Sequence, residues 1–376
     1  MNFRDLKEQY RVLKTDIDKA ISNCLNEGQF ILGSDVMALE QELADYVGVK
    51  HCISCANGTD ALVLSIMNFS IGAGDAVFAP DFTYFATINC AMLRGATPVL
   101  VDIEKDTFNI SPEALETAII NTKKEGKLNP KAIITVDLFG LCADYPKIQA
   151  IAKKYNLLII EDGAQGFGSS INGKKACSFA DIGTISFFPA KPLGCYGDGG
   201  AIFTNNDEWA DNLRSIRMQG RSKEDKYDNR SIGINSRLDS LQAAVLRVKL
   251  KAFKDYELKA VNDVAKIYTD HLSSIVATPT IPDGFYSSWA QYTIRLKDRS
   301  QRDGLKEYLH SKGIPTMIYY PRGMHSQTAV VNSNCNSGFF PNTDEVVQTC
   351  LSLPMHPYLN PEDQNLVIDS IKEFIG

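Results

Sequence analysis

The sequence predicts an α/β protein with two parts: a large domain with a mainly parallel sheet over residues 1–245, and a smaller α+β domain over residues 246–376. Three observations lead there. Short apolar runs alternate with amphipathic stretches through the first two-thirds of the chain, polar residues collect just past the ends of those runs, and composition changes near residue 245. At 376 residues the chain also exceeds the usual size of a single core.

The elements follow in order. The opening MNFRDLKEQYRVLKTDIDKAI mixes charged and apolar residues at helical spacing and lacks the continuous apolar core of a signal peptide. HCISC (51–55) reads as a buried strand with small thiols, followed by a turn at Asn57 and Gly58 and a helix beginning about Thr59. The strands DAVFAP (75–80), TPVLVDI (97–103), KAIITVDLF (131–139), NLLIIED (156–162), GTISFF (183–188) and GAIFT (200–204) are β-branched or aromatic runs bounded by turn formers. Between them lie the helical patterns DALVLSIMNFS (60–70), TYFATINCAMLRG (83–95) and YPKIQAIAKKYN (145–156). Ser111 and Pro112 are an N-cap and a first-turn proline, and that helix is expected to end before the polar segment 121–130. One long amphipathic helix is expected over 245–272, bridging the two domains. Beyond it, QYTIRL (291–296) reads as a strand and QRDGLKEYLHSKG (301–313) as a helix.

Charge and cysteine usage narrow the function classes. A formal net charge of −6 and the lack of a basic stripe argue against nucleic-acid binding by phosphate neutralisation. No apolar run approaches membrane-spanning length. Nine scattered cysteines fit reduced thiols, so a cytoplasmic location is the expectation. The CxxC of HCISC has no second pair at zinc-site spacing, and no metal site is expected.

In open α/β sheets chemistry collects at the carboxyl ends of strands, and Asp81, Thr83, Asp162, Gln165, Ser186 and Lys191 all sit there. Lys191 lies between Ala190 and Pro192 in the apolar, glycine-rich run ISFFPAKPLGCYGDGGAIF (185–203). Desolvation disfavours the ammonium, and a neutral amine condenses with carbonyls. Asp162 ends a buried strand, where its carboxylate needs a cation such as a protonated pyridine nitrogen. The turn at Gly58 opens a helix whose N-terminus suits one phosphate. Tyr84 is an aromatic placed to stack on a flat ring. Together these four features match the needs of pyridoxal 5'-phosphate.

EDGAQGFG (161–168), SFFPAKPLGCYGDGGAIFTN (186–205), NGTDAL (57–62), GINSRLDSLQAAVL (233–246) and SLPMHPYL (352–359) resemble the DegT/DnrJ/EryC1/StrS family of nucleotide-sugar aminotransferases, and the similarity runs from FRDLKEQY to the final helix. The resemblance implies the fold-type I aminotransferase architecture, a homodimer with shared active sites, and a cofactor alternating between its pyridoxal and pyridoxamine forms (PLP and PMP). It implies that Lys191 binds the cofactor covalently and then shuttles protons. By the same carry-over, Asp162 pairs with the pyridine nitrogen, Tyr84 stacks on the ring and Gln165 lies by the phenolic oxygen. The phosphate is expected against Gly58, Thr59, Asp60 and Ser186, with Asn235 reaching across from the other subunit. Related sugar 3-dehydratases carry histidine at the lysine position, so Lys191 implies transamination, with L-glutamate as donor and a nucleotide-linked keto sugar as acceptor.

Within the family, NSRLDSLQAA resembles members that aminate C3 of the sugar. The lysine loop and SLPMHPYL resemble members acting on a UDP-linked 3-oxo-glucuronate, in surface polysaccharide (O-antigen) biosynthesis. Arg237 then pairs with the sugar carboxylate or, alternatively, makes a structural ion pair with Asp239 or a neighbour. Tyr320 and His325 are the remaining substrate-side candidates, in a segment that has Tyr319 where the family usually has histidine. Gly163 stands where alanine is usual. The charged segment 221–230 is a solvated loop or, in this family, a cover near the partner's site. The alternatives are a dTDP-3-keto-6-deoxyhexose 3-aminotransferase, a 4-keto nucleotide-sugar aminotransferase, a pyridoxal-dependent decarboxylase or racemase, and a non-catalytic binding or regulatory protein on the same fold.

Overall fold

The computed structural model describes residues 1–225, 227–335 and 337–376; residue 226 of the charged segment 221–230 therefore lies outside the described residues. In chain order the elements are helices α1 (Leu6–Glu27) and α2 (Ser34–Val47), β1 (His51–Cys55), α3 (Gly58–Asn68), β2 (Asp75–Pro80), α4 (Ala86–Leu93) and β3 (Thr97–Val101). Then come α5 (Pro112–Glu125), β4 (Asn129–Val136), α6 (Tyr145–Tyr155), β5 (Leu158–Asp162), the two-residue strands β6 (Ser170–Ile171) and β7 (Lys174–Lys175), β8 (Ile182–Ser186), β9 (Gly200–Thr204) and α7 (Asp207–Ile216). The remainder is α8 (Ser240–Ala252), α9 (Leu258–Leu272), β10 (Phe285–Tyr286), β11 (Tyr292–Arg295), α10 (Arg299–Ser311), α11 (Thr328–Asn332), α12 (Pro341–Thr349), β12 (Cys350–Leu353) and α13 (Pro361–Ile375).

Seven strands form the main sheet in the order β1-β9-β8-β5-β4-β2-β3. All run in one direction except β9, which is antiparallel to both its neighbours. Both faces are covered, and so successive residues of one strand enter different cores: Ala76 and Phe78 of β2 pack into one cluster, Val77 and Ala79 into the other. A separate apolar cluster surrounds the β11–β12 ribbon with α9, α10 and α13. Among the described residues no helix is long and apolar enough to cross a membrane.

Several element bounds differ from the expectations. α5 continues to Glu125, where Gly126 in the left-handed region sends its N–H to the Thr122 carbonyl. The segment 121–125 is polar because it is a solvated last turn, with Lys123 and Lys124 complementing the helix dipole. α4 starts only at Ala86, which leaves Thr83 and Tyr84 in the preceding turn. The long helix expected over 245–272 begins at Ser240 and spans the expected domain boundary. It is interrupted at Phe253–Glu257 by a π turn, in which the Leu258 N–H reaches five residues back to Phe253.

Asp137 follows β4 and Glu161 lies in the adjacent β5, both fully buried. Asp137 Oδ1 accepts from the Tyr145 hydroxyl and the Ala143 N–H, while Oδ2 meets no donor among the described residues. Glu161 accepts from the N–H groups of Cys177 and Phe179. Burial, and for Asp137 the nearby Glu161 charge, raise the proton affinity of both carboxyls. The folded pair thus keeps a proton to higher pH than the unfolded chain does. Its stabilisation is complete below the ordinary carboxyl range and is lost as pH rises through the folded value. Denaturant unfolding of the wild-type protein should show stability falling above pH 5 by up to about 1.4 kcal/mol per pH unit from this pair. Asp137→Asn, which keeps the shape but removes the second acid, should flatten that slope; an unchanged slope would show that the pair titrates independently.

Candidate active site

The parallel strands deliver their polar ends to one edge of the sheet. β5 and β8 are adjacent, with Asp162 opposite Thr184, so the Asp162 carboxylate and the loop after β8 emerge side by side. That loop is closed at its neck by Phe187 N–H to Gly199 O (2.7 Å) and folded inward by Cys195 N–H to Phe187 O (2.8 Å). Lys191 lies at its bend, half-buried, with its N–H bonded to Phe188 O (2.9 Å). Its amine makes no hydrogen bond or ion pair among the described residues. Burial lowers its proton affinity, opposed by the Asp162 charge and assisted by Arg4.

Asp162 is 6% exposed. Its Oδ2 accepts from Thr87 Oγ1 (2.8 Å), itself 3.0 Å from Thr83 Oγ1, and its Oδ1 accepts from Ala164 N–H (3.2 Å). Burial pushes the carboxyl up, while Thr87, the Lys191 cation and Ala164 hold it down. A buried carboxylate whose hydrogen-bond donors are both neutral fits a pyridinium nitrogen as its cationic partner.

A phosphate cradle lies at the start of α3. Asn57 caps the helix by accepting from Asp60 N–H (2.8 Å), which leaves the N–H groups of Gly58 and Thr59 as the first open donors. A Cβ on Gly58 would stand 2.6 Å from Ser186 Cβ, so only glycine lets the helix start approach the serine. Ser186 Oγ accepts from Phe188 N–H (3.2 Å) and keeps its own proton to give. Asp60 takes the Ser236 hydroxyl (2.7 Å), which ties the cradle to segment 235–237. Gly200, where β9 enters this edge, has Asn57 O only 2.5 Å from the position of a Cβ.

The other predicted residues divide into two groups. Tyr84 is 60% exposed with its ring 6.5 Å from that of Tyr320, and Gln165 Nε2 donates to the Tyr320 hydroxyl (3.0 Å) while its Oε1 accepts from Phe139 N–H (2.9 Å). Tyr84, Gln165 and Tyr320 therefore line one cleft with Lys191 and Asp162. His325 is held instead by buried Asp81, through its main-chain N–H (2.7 Å) and Nδ1 (2.6 Å), and stacks on Phe340. Asn235 is exposed, and Arg237 is half-buried and makes no ion pair among the described residues, so the pairing with Asp239 is not formed. The glycine at 163 has a packing reason, because a Cβ there would meet Cys177 Sγ at 2.7 Å.

Sequence reasoning missed Thr87 and Arg4. Thr87 carries a weak signal, a hydroxyl four residues after Thr83 in a helical register. Arg4 carries none, since its approach to Lys191 joins the two ends of a long loop in the chain. Gly58→Ala should keep the fold but open the cradle at a cost of about 1–3 kcal/mol. Equilibrium titration with pyridoxal phosphate should then show roughly tenfold or greater weakening, and unchanged affinity would remove the cradle from the site.

Comparison with known proteins identifies the family. The chain is 45% identical over 361 residues, 96% of each chain, to UDP-2-acetamido-2-deoxy-3-oxo-D-glucuronate aminotransferase of Pseudomonas aeruginosa. A DegT DnrJ EryC1 StrS aminotransferase from Brucella abortus has the same fold, with a TM-score of 0.97 and 47% identity covering 100% of both chains. S. venezuelae DesV, solved in complex with a ketimine intermediate, matches with a TM-score of 0.93 and 33% identity over 100% of this chain and 98% of its own. With residues 12–372 also matching the family profile, the chain belongs to the DegT/DnrJ/EryC1/StrS aminotransferase family.

Proposed function

We propose that this protein is a pyridoxal phosphate-dependent aminotransferase that takes the amino group of L-glutamate and places it on C3 of a nucleotide-linked 3-keto sugar, a UDP-linked 3-oxo-glucuronate being the favoured acceptor. The observation that carries the reading is the unpartnered Lys191 amine facing buried Asp162 beside the Gly58–Ser186 cradle. The 45% identity to a UDP-3-oxo-glucuronate aminotransferase supports the acceptor.

Bound pyridoxal phosphate supplies an electron sink that acidifies the C–H bond next to the transferred nitrogen. The protein's part is binding and proton transfer. Gly58 and Thr59 N–H groups and the Ser186 hydroxyl hold the phosphate, with Asp60 fixing the turn through Ser236. Asp162 would keep the ring nitrogen protonated, Tyr84 would cover the ring, and Gln165 would orient its phenolic oxygen. Lys191, once released from the cofactor, carries the proton between the cofactor side and the sugar carbon as base and then acid. Tyr320 faces the same cleft, whereas His325 supports it from behind through Asp81.

Two copies of the chain complete each site, with exposed Asn235 reaching the phosphate of the partner's cofactor. Residues 1–245 form the cofactor-binding domain and residues 246–376 the smaller one. The enzyme works in the cytoplasm on a pathway to surface polysaccharide, and needs neither nucleic acid nor membrane. Half-buried Arg237, lacking a protein carboxylate partner among the described residues, takes the carboxylate of the sugar.

Protein reconstituted with pyridoxal phosphate should show a visible band that L-glutamate bleaches. Borohydride should fix the cofactor on Lys191, and Lys191→Ala should lose both the adduct and at least ~10³-fold of turnover. Absence of the band in the wild-type protein would overturn the enzyme reading. Run in reverse against a panel of amino-sugar nucleotides, a UDP-linked 3-amino-glucuronate should be consumed first; preference for a dTDP-linked 3-amino-6-deoxyhexose would replace the acceptor. Arg237→Ala should raise KM for the uronate roughly tenfold to a hundredfold with a smaller change in kcat. An unchanged KM would assign the arginine elsewhere.

A further inference from the structure

Around the Lys191 main chain lies a second group of buried and half-buried ionisable side chains. Arg4, from the segment before α1, donates from Nη2 to the Lys191 carbonyl (2.9 Å). Glu257, at the end of the π turn, accepts at Oε1 from Gln9 Nε2 (2.8 Å) and from the Tyr358 hydroxyl (2.5 Å). Lys249 of α8 is 1% exposed with its amine over the Tyr196 ring, 5.0 Å from the centroid. His356 is buried, and its Nδ1 has no partner among the described residues. Arg4, Gln9, Lys191, His356 and Tyr358 share the walls of one small void.

Burial, joined by the Arg4 charge and opposed by nearby carboxylates, takes Lys249 down to about 8 and His356 down to about 4. Arg4 itself is brought down to about 10 by burial, opposed by Glu257, and so stays charged near neutrality. A guanidinium keeps its charge in surroundings that would strip a lysine of its proton. The charged and titratable groups around Lys191 are thus Asp162 from β5, Arg4 and Asp5 from the N-terminal segment, Lys249 and Glu257 from the α8–α9 rod, and His356 from the loop before α13.

We propose that Arg4 is a positioning residue for Lys191, fixing the main chain at the lysine through its carbonyl and keeping a permanent positive charge near the amine. The proposal rests on Lys191 being the cofactor lysine. Asp162 favours the ammonium, and an ammonium neither condenses with a carbonyl nor accepts a proton. Arg4 acts on the amine against Asp162, adding to the lowering that burial brings. The same contact makes docking of the first residues of the chain a condition for a tuned site.

The test uses three variants of the full chain: Arg4→Met removes donor and charge, Arg4→Gln keeps a donor without charge, and Arg4→Lys keeps both. Competitive acetylation of the cofactor-free protein between pH 6 and 11, read at Lys191 by peptide mass spectrometry, gives the ionisation of the amine directly. In the reconstituted enzyme the pH dependence of the visible band reports the ionisation of the same nitrogen once it is bound to the cofactor. Arg4→Gln and Arg4→Met should raise the midpoint by roughly one pH unit, and Arg4→Lys, whose ammonium gives up its proton more readily on burial than a guanidinium does, should restore it only in part. If Arg4→Met does not fold, Arg4→Gln alone decides. An unmoved midpoint in Arg4→Gln, with borohydride still fixing the cofactor on Lys191, would overturn the electrostatic role of Arg4 and leave the aminotransferase reading intact. Fixation at another lysine in the wild-type protein would overturn the underlying reading as well.

Discussion

A lysine amine and a carboxylate share one buried wall, and burial acts on them in opposite directions. Desolvation favours the neutral amine of Lys191 and the protonated acid of Asp162, while their mutual attraction favours the charged form of each. Aminotransferase chemistry needs the asymmetric outcome of an anionic carboxylate and an amine that can lose its proton. The surroundings supply that asymmetry. Thr87 and the Ala164 N–H hydrogen-bond the carboxylate and oppose the rise that burial imposes on it, whereas the amine receives no acceptor among the described residues and has a guanidinium nearby.

The sheet topology makes this proximity possible. β5 and β8 are parallel neighbours, so their carboxyl ends leave the sheet together. β9 runs the other way and begins where its neighbours finish, directly beneath the turn at Asn57. A strand that enters at the crowded edge needs residues without Cβ, which accounts for the GDGG run at 197–200. The C-terminal region reaches the same edge by polar contacts. Asp81 grips the main chain and ring of His325, and Gln165 grips the Tyr320 hydroxyl. Each of these contacts joins a strand end of the large sheet to segment 319–327, so the cleft is walled by both parts of the chain.

The main strands and most helices were legible because they are local: an apolar run of the right length between turn formers is its own evidence. The gathering of Asp162, Lys191 and Gly58 at one sheet edge was legible because each lies at a strand end or in the turn that follows one. Polarity misled at 121–125, since a solvated helix end and a loop carry the same residues. The π turn at 253–257 left no mark in the periodicity, because one extra residue in a turn shifts the pattern less than the variation of natural sequences. Lys249 offered a clue that went unread, as a cation four residues after Val245 on a face that is otherwise apolar and buried. Arg4 and the Asp137–Glu161 pair are juxtapositions across the fold, which residue order alone does not encode.

In the proposed transamination the Lys191 amine takes a proton from one carbon and gives it to another, a task best served by an affinity close to the working pH. Burial and Arg4 lower that affinity while Asp162 raises it. The working value is then a balance between a carboxylate, fixed by its hydrogen bonds to one strand end, and a cation, fixed by the carbonyl of the lysine itself. The guanidinium on the Lys191 carbonyl therefore serves as support for the loop and as part of its chemistry at once.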